Sequence, residues 1–116
     1  MTTVKLGTQF ATVTLNGSGN GTAKLGPISE REVWNPANAH VSANANPINE
    51  AQCSVYVGDT VIPNNFRDGT FSGSSGDSTD KINADVVKMG HYIWAVWTGG
   101  DAGQIATLSV TGTRDI

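Results

Sequence analysis

One cysteine, Cys53, and two histidines, His40 and His91, are the only side chains in this sequence that could form a thiol–imidazole couple. A nucleophilic cysteine needs a base within hydrogen-bond reach and an electropositive setting. Cys53 instead alternates with Val55 and Val57, which places it on an apolar face as a small core residue. His40 and His91 show no HxH or HExxH spacing that would make metal ligation specific. Asp68, Asp77 and Asp80, with Ser and Thr oxygens between them, offer the oxygen ligands Ca²⁺ requires, but they do not match EF-hand spacing. A solvated turn capped by Asp, Ser and Thr side chains is the plainer account. Glu30 and Glu32, if on one strand, would sit ~6.5–7 Å apart on the same side, a separation suited to an inverting glycosidase. Nothing in the sequence predicts the distorted substrate site such a pair requires, and charges that blunt a strand edge explain the pair. Gly17, Gly19 and Gly21 precede no helix, and no GxSxG elbow, P-loop or dinucleotide fingerprint occurs. The expectation is therefore a protein without catalysis, bound metal or cofactor.

Four aromatic residues remain: Trp34, Tyr92, Trp94 and Trp97. Aromatic side chains stack on sugar rings or anchor protein interfaces, and they also fill cores. In the run from His91 to Trp97 both faces are apolar, with Tyr92, Trp94 and Val96 on one and Ile93, Ala95 and Trp97 on the other. A strand of this kind is either covered on both sides or has its second face in a partner. One of Trp94 and Trp97 is thus expected in the core and the other at an interface.

The elements that must hold these residues follow a period of two. Val13 and Leu15 alternate with Thr12 and Thr14. Val41, Ala43 and Ala45 alternate with His40, Ser42 and Asn44, and Cys53, Val55 and Val57 alternate with Gln52, Ser54 and Tyr56. Ala106, Leu108 and Val110 alternate with Ile105, Thr107, Ser109 and Thr111. Shorter strands are expected at Thr22–Leu25, Arg31–Trp34 and Gly69–Ser72. The two Asn-Gly pairs in Asn16–Gly21 signal a hairpin, and the Gly-rich stretch Thr98–Gly103 reads as a second one. Asp68–Asp80 reads as a polar loop flanking a short strand at Thr70–Ser72. Pro27, Pro36, Pro47 and Pro63 all fall outside the expected strands. The pattern predicts one all-β domain over 1–116, an antiparallel β-sandwich, Ig-like or jelly-roll-like, of about seven to nine short strands.

Composition narrows the partners. Of 116 residues only 15% are charged, and 7 Lys and Arg against 10 Asp and Glu leave a net charge of −3. Phosphate contact needs concentrated positive charge, so nucleic acid and anionic membrane surfaces are not expected partners. Gly, Pro, Asn, Ser and Thr fill 50 of the 116 positions, too few helix formers remaining for a bundle. No apolar run is long enough to span a membrane, and Met1-Thr2-Thr3-Val4-Lys5 carries no apolar leader, so synthesis in a cytoplasm is expected.

Several segments together resemble a known group. They are Ala51-Gln52-Cys53-Ser54-Val55-Tyr56-Val57-Gly58, Asp68-Gly69-Thr70-Phe71-Ser72-Gly73, Ile93-Trp94-Ala95-Val96-Trp97-Thr98-Gly99-Gly100-Asp101-Ala102-Gly103 and Ala106-Thr107-Leu108-Ser109-Val110-Thr111-Gly112. This VYxG … DGTxSG … WTGGxxGxxATLxVTG pattern, over residues 50–112, resembles small β-sandwich virion proteins of tailed phages of actinobacteria. The resemblance implies a structural, non-enzymatic role on the virion surface, as a capsid decoration protein or a minor tail protein made in the host bacterial cytoplasm. Its expected partners are other virion subunits and further copies of itself. The alternative is a carbohydrate-binding module for host cell-surface glycan. In either case Trp34, Tyr92, Trp94 and Trp97 are the contact candidates.

Overall fold

The computed structural model describes residues 2–43, 48–72 and 76–116, and among them the chain is all-β. Its strands are β1 (Thr3–Lys5), β2 (Gln9–Thr14), β3 (Gly21–Leu25), β4 (Val33–Ala43), β5 (Ala51–Gly58), β6 (Phe66–Ser72), β7 (Asp77–Thr79), β8 (Val87–Lys88), β9 (Tyr92–Thr98) and β10 (Ile105–Asp115). The only helical element among the described residues is a single 3₁₀ turn, Pro63–Asn65. Every pairing is antiparallel. In sheet A, β10 pairs β4 on one side and, on the other, β2 along its first half and β1 along its second. The far side of β4 carries β7 and β8 end to end. Sheet B has the order β3-β9-β5-β6.

The two sheets enclose one core and form the expected β-sandwich. Val55, Ile93, Ala95, Trp97, Leu108 and Val110 are buried in it, each on the inward set of its strand's alternation. Cys53, Val41 and Ala43 are also inward, as the alternation requires, whereas Ala45 and Pro47 lie outside the described residues. Trp97 fits because its in-register neighbours within the sheet are small, Gly21 on β3 and Cys53 on β5. A large side chain beside two small ones is how a core reaches close packing without strain.

The ten strands among the described residues exceed the expected seven to nine because β1, β7 and β8 are edge pieces of two or three residues, too short to show a period. A second departure concerns Pro36, which was expected outside the strands. It is buried within β4, which begins at Val33 inside the expected Arg31–Trp34 segment and runs on through a bulge into the expected strand that carries Val41 and Ala43. The register shifts there: Thr111 pairs Asn38, Gly112 pairs Pro36, and Ala37 is the unpaired extra residue. A bulge tolerates a residue without an N–H donor. The neighbouring strand must then approach closely: a Cβ on Gly112 would lie 2.4 Å from the Asn35 carbonyl oxygen.

Within the polar stretch 68–80 the short strand expected at Gly69–Ser72 is present and starts earlier, at Phe66. Phe66–Ser72 is a full strand paired to β5 and Asp77–Thr79 pairs β4, while Gly73–Ser75 lie outside the described residues. Neither Gly-rich connection is a hairpin. Asn16–Asn20 leads from β2 in sheet A to β3 in sheet B, and Gly99–Gln104 leads from β9 in sheet B to β10 in sheet A. The two arches brace each other at one end of the sandwich. Gly100 N–H donates to Gly19 O at 3.0 Å, and Leu15 exchanges backbone bonds with Gln104 and Gly103 at 2.8 and 2.9 Å. A Cβ on Gly19, whose φ is +75°, would lie 1.9 Å from Gly100 O. The glycines thus serve a close crossing of two chains; Asn16 Oδ1 closes its own arch by accepting from Ser18 and Asn20 N–H.

Candidate functional site: an aromatic row across sheet B

Tyr92, Trp94 and Val96 are the outward set of β9, and Gln52, Ser54 and Tyr56 that of β5, because the inward positions between them are buried. Strand register then builds a row that spans all four strands. Lys24 on β3 is opposite Trp94, Trp94 is opposite Tyr56, and Tyr56 is opposite Phe66 on β6. With strands ~4.8 Å apart the row is ~14 Å long. Phe66 is 46% exposed, and Trp94, Tyr92 and Tyr56 are half-buried. The next rows toward the arches are mostly small or polar, Thr22–Val96–Ser54–Gly69 and Thr98–Gln52–Phe71, with Phe71 a further exposed ring.

The rings meet edge to face. Tyr92 and Trp94 centroids are 5.5 Å apart with planes at 75°, and those of Tyr56 and Phe66 are 5.7 Å apart at 80°. The Trp94 indole N–H is spent on the Gly58 carbonyl at 3.0 Å. Lys24 Nζ lies 4.3 Å from the Tyr92 centroid and 5.1 Å from that of Trp94, a cation–π arrangement. Among the described residues no carboxylate lies within ion-pair distance of Lys24. The surface is a knobbed aromatic patch with one uncompensated cation at its β3 end.

The four aromatic residues singled out from sequence separate into three settings. Tyr92 and Trp94 are brought together in this row. Trp97 is fully buried and presents nothing to a partner. Trp34 belongs to the other sheet and is 5% exposed; its indole N–H donates to Glu32 at 2.7 Å, and Arg114 pairs with the same carboxylate oxygen at 3.0 Å. The Trp34 bond, seconded by Arg114, holds the Glu32 carboxyl below its usual pKa. A cleft of about 270 Å³ lies over them, lined also by Gln9, Leu25, Gly26 and Ile28. Glu30 and Glu32 do not share a strand as supposed, because both precede β4 in a turn closed by Glu32 N–H on Ser29 O. Tyr56, Phe66 and Lys24 had not been singled out. Tyr56 stood in the outward set of its strand, and that was the one signal available.

The remaining reactive groups are apart or already engaged. Cys53 faces the core, where desolvation pushes its thiol up to about 12. His40 is on the outer face of sheet A, its Nδ1 2.7 Å from Ser78 Oγ, so the backbone of sheet A stands between it and Cys53. Asp77 accepts from the Thr70 hydroxyl and the Ser78 N–H, which hold its carboxyl below the ordinary value. Asp68 accepts from Gly69 N–H and stands 4.0 Å from Lys81 Nζ. Among the described residues no group of three or more His, Cys, Asp or Glu converges. No protein-family model matches this chain, and no curated protein is significantly similar to it.

Proposed function

We propose that this chain is a non-enzymatic structural protein of a tailed-phage virion, a capsid decoration or minor tail protein that attaches through the outer face of sheet B. The observation that carries this reading is the Lys24–Trp94–Tyr56–Phe66 row, an aromatic surface left unpartnered on a face where antiparallel sheets otherwise carry polar residues. The resemblance to actinobacterial phage virion proteins supports the class. Apart from Gly73, its motifs fall on β5, β6, β9, the arch after β9 and β10, and of these β9, β5 and β6 are strands of the sheet that bears the row.

A glycan-binding module would use the same aromatics, and two features weigh against it. Neighbouring rings stand nearly perpendicular, so they offer no coplanar platform for a sugar chain. The Trp94 N–H is already committed to Gly58, which leaves few donors on the row for sugar hydroxyls. Knobs and edges suit the side chains of another protein.

The test is reconstitution on particles of the source phage from which this chain has been deleted. Purified protein should bind them saturably, and Trp94→Ala, folded by circular dichroism, should lose most of that binding. If normal particles do not contain the chain at all, the virion reading is wrong.

A further inference from the structure

We infer that the partner seated on this face is a protein surface that presents a carboxylate to Lys24 with apolar side chains beside it. The inference rests on sheet B being a docking face and names what covers it. A protein with net charge −3 exposes at this point an ammonium group that no carboxylate of the described residues approaches. Lys24 does not point away into water: its Nζ is held over Tyr92 and Trp94, at the end of an apolar row. When a partner covers the rings it also dehydrates that ammonium, and a cation removed from water must find a counter-charge. The aromatic row cannot provide one, since its other members are Trp94, Tyr56 and Phe66.

The charge of the row also disfavours a second copy packed face to face. The row contains a cation and no acid, so two identical rows would bring ammonium groups into one dehydrated interface without a carboxylate. The complement is therefore a different surface: an Asp or Glu opposite β3, and apolar residues within the next ~14 Å to meet Trp94, Tyr56 and Phe66. Lys24 acts as the selector and the rings as the anchor. A partner that is apolar but lacks the acid leaves the ammonium buried and unpaired, which is how such a site rejects a wrong surface.

A carbodiimide, which joins an amine to a carboxylate only when the two touch, reads this directly. Infected cells and purified particles are treated, and peptides cross-linked to Lys24 are identified by mass spectrometry. The expected product joins Lys24 to an Asp or Glu with apolar neighbours on another virion protein. Lys24→Arg should keep binding and lose the cross-link, whereas Lys24→Glu should weaken binding at least ~tenfold at low salt. A cross-link to such a carboxylate on a protein outside the virion upholds this inference and overturns the virion reading. A cross-link to a carboxylate of a second copy of this chain overturns the inference. It is equally overturned if acidic glycan alone protects Lys24, or if Lys24 is acetylated as readily on particles as in free protein.

Discussion

Trp94 and Trp97 lie three residues apart on β9 and face opposite ways: Trp97 is sealed in the core between Gly21 and Cys53, whereas Trp94 stands outward between Lys24 and Tyr56. One strand therefore carries both the largest fully buried side chain among the described residues and the centre of the candidate docking row. Substitutions at these two positions should thus separate stability from the proposed attachment. Trp97→Ala should cost about 3–5 kcal/mol in urea unfolding, because it opens a cavity that its small neighbours cannot fill. Trp94→Ala, which removes one edge-to-face ring contact and one hydrogen bond from a half-buried site, should cost about 1 kcal/mol and instead impair attachment. Equal losses of stability would show that the two faces are not distinct in this way.

Cys53 should behave as an inert thiol. Burial drives its pKa to about 12, so almost no thiolate exists at neutral pH and no reagent reaches it. Iodoacetamide should label the native protein only as fast as the protein opens, and labelling should become rapid in denaturant. Rapid labelling under native conditions would mean the β5 face is not closed.

The two backbone close approaches make a further pair of expectations. Gly112→Ala places a methyl group against the Asn35 carbonyl at the bulge, and Gly19→Ala places one on the Gly100 carbonyl at the crossed arches. Both contacts are with backbone, which cannot rotate aside, so each variant should lose roughly 2 kcal/mol or more in thermal or urea unfolding. An unchanged midpoint for Gly19→Ala would contradict the bracing of the arches.

These same positions show where sequence reasoning stopped. The inward sets at Cys53–Val57 and Ala106–Val110 were legible because one face of each strand is buried and the period of two survives along it. Turn chemistry was legible locally: Asn16 and Gly19 do shape a tight reversal. Whether the reversal closes a hairpin or arches between sheets depends on which strands pair, a tertiary choice that Asn-Gly does not encode. The Pro36 bulge was hidden for the same reason, since a proline inside a strand makes sense only beside Gly112. For the candidate site, Tyr92 and Trp94 stood out in a doubly apolar run. Lys24, Tyr56 and Phe66 join them only through register across three pairings, which no spacing along the chain reveals.

The Glu32 carboxylate gives a pH signature. The Trp34 indole N–H, and after it Arg114, lower its pKa in the folded protein. A depressed carboxylate stabilises the fold above its unfolded pKa of ~4.3, and that contribution fades as pH falls through the lower folded value. Glu32→Gln should therefore be less stable than the parent protein at pH 7, and the gap should narrow toward pH 3. Urea midpoints at the two pH values measure it. A gap that widens in acid would mean Glu32 gains nothing from its charge.

The proposed mode of attachment puts the outer face of sheet B under cover on the particle. Hydroxyl-radical footprinting of free and particle-bound protein measures this directly, with Tyr56, Phe66, Tyr92 and Trp94 as reporters and Phe10, 65% exposed on β2 in sheet A, as the internal control. Oxidation of the four reporters should fall severalfold on attachment while that of Phe10 stays near its free level. Protection of Phe10 with unchanged oxidation of the row would put the attachment surface on the other sheet and contradict the account.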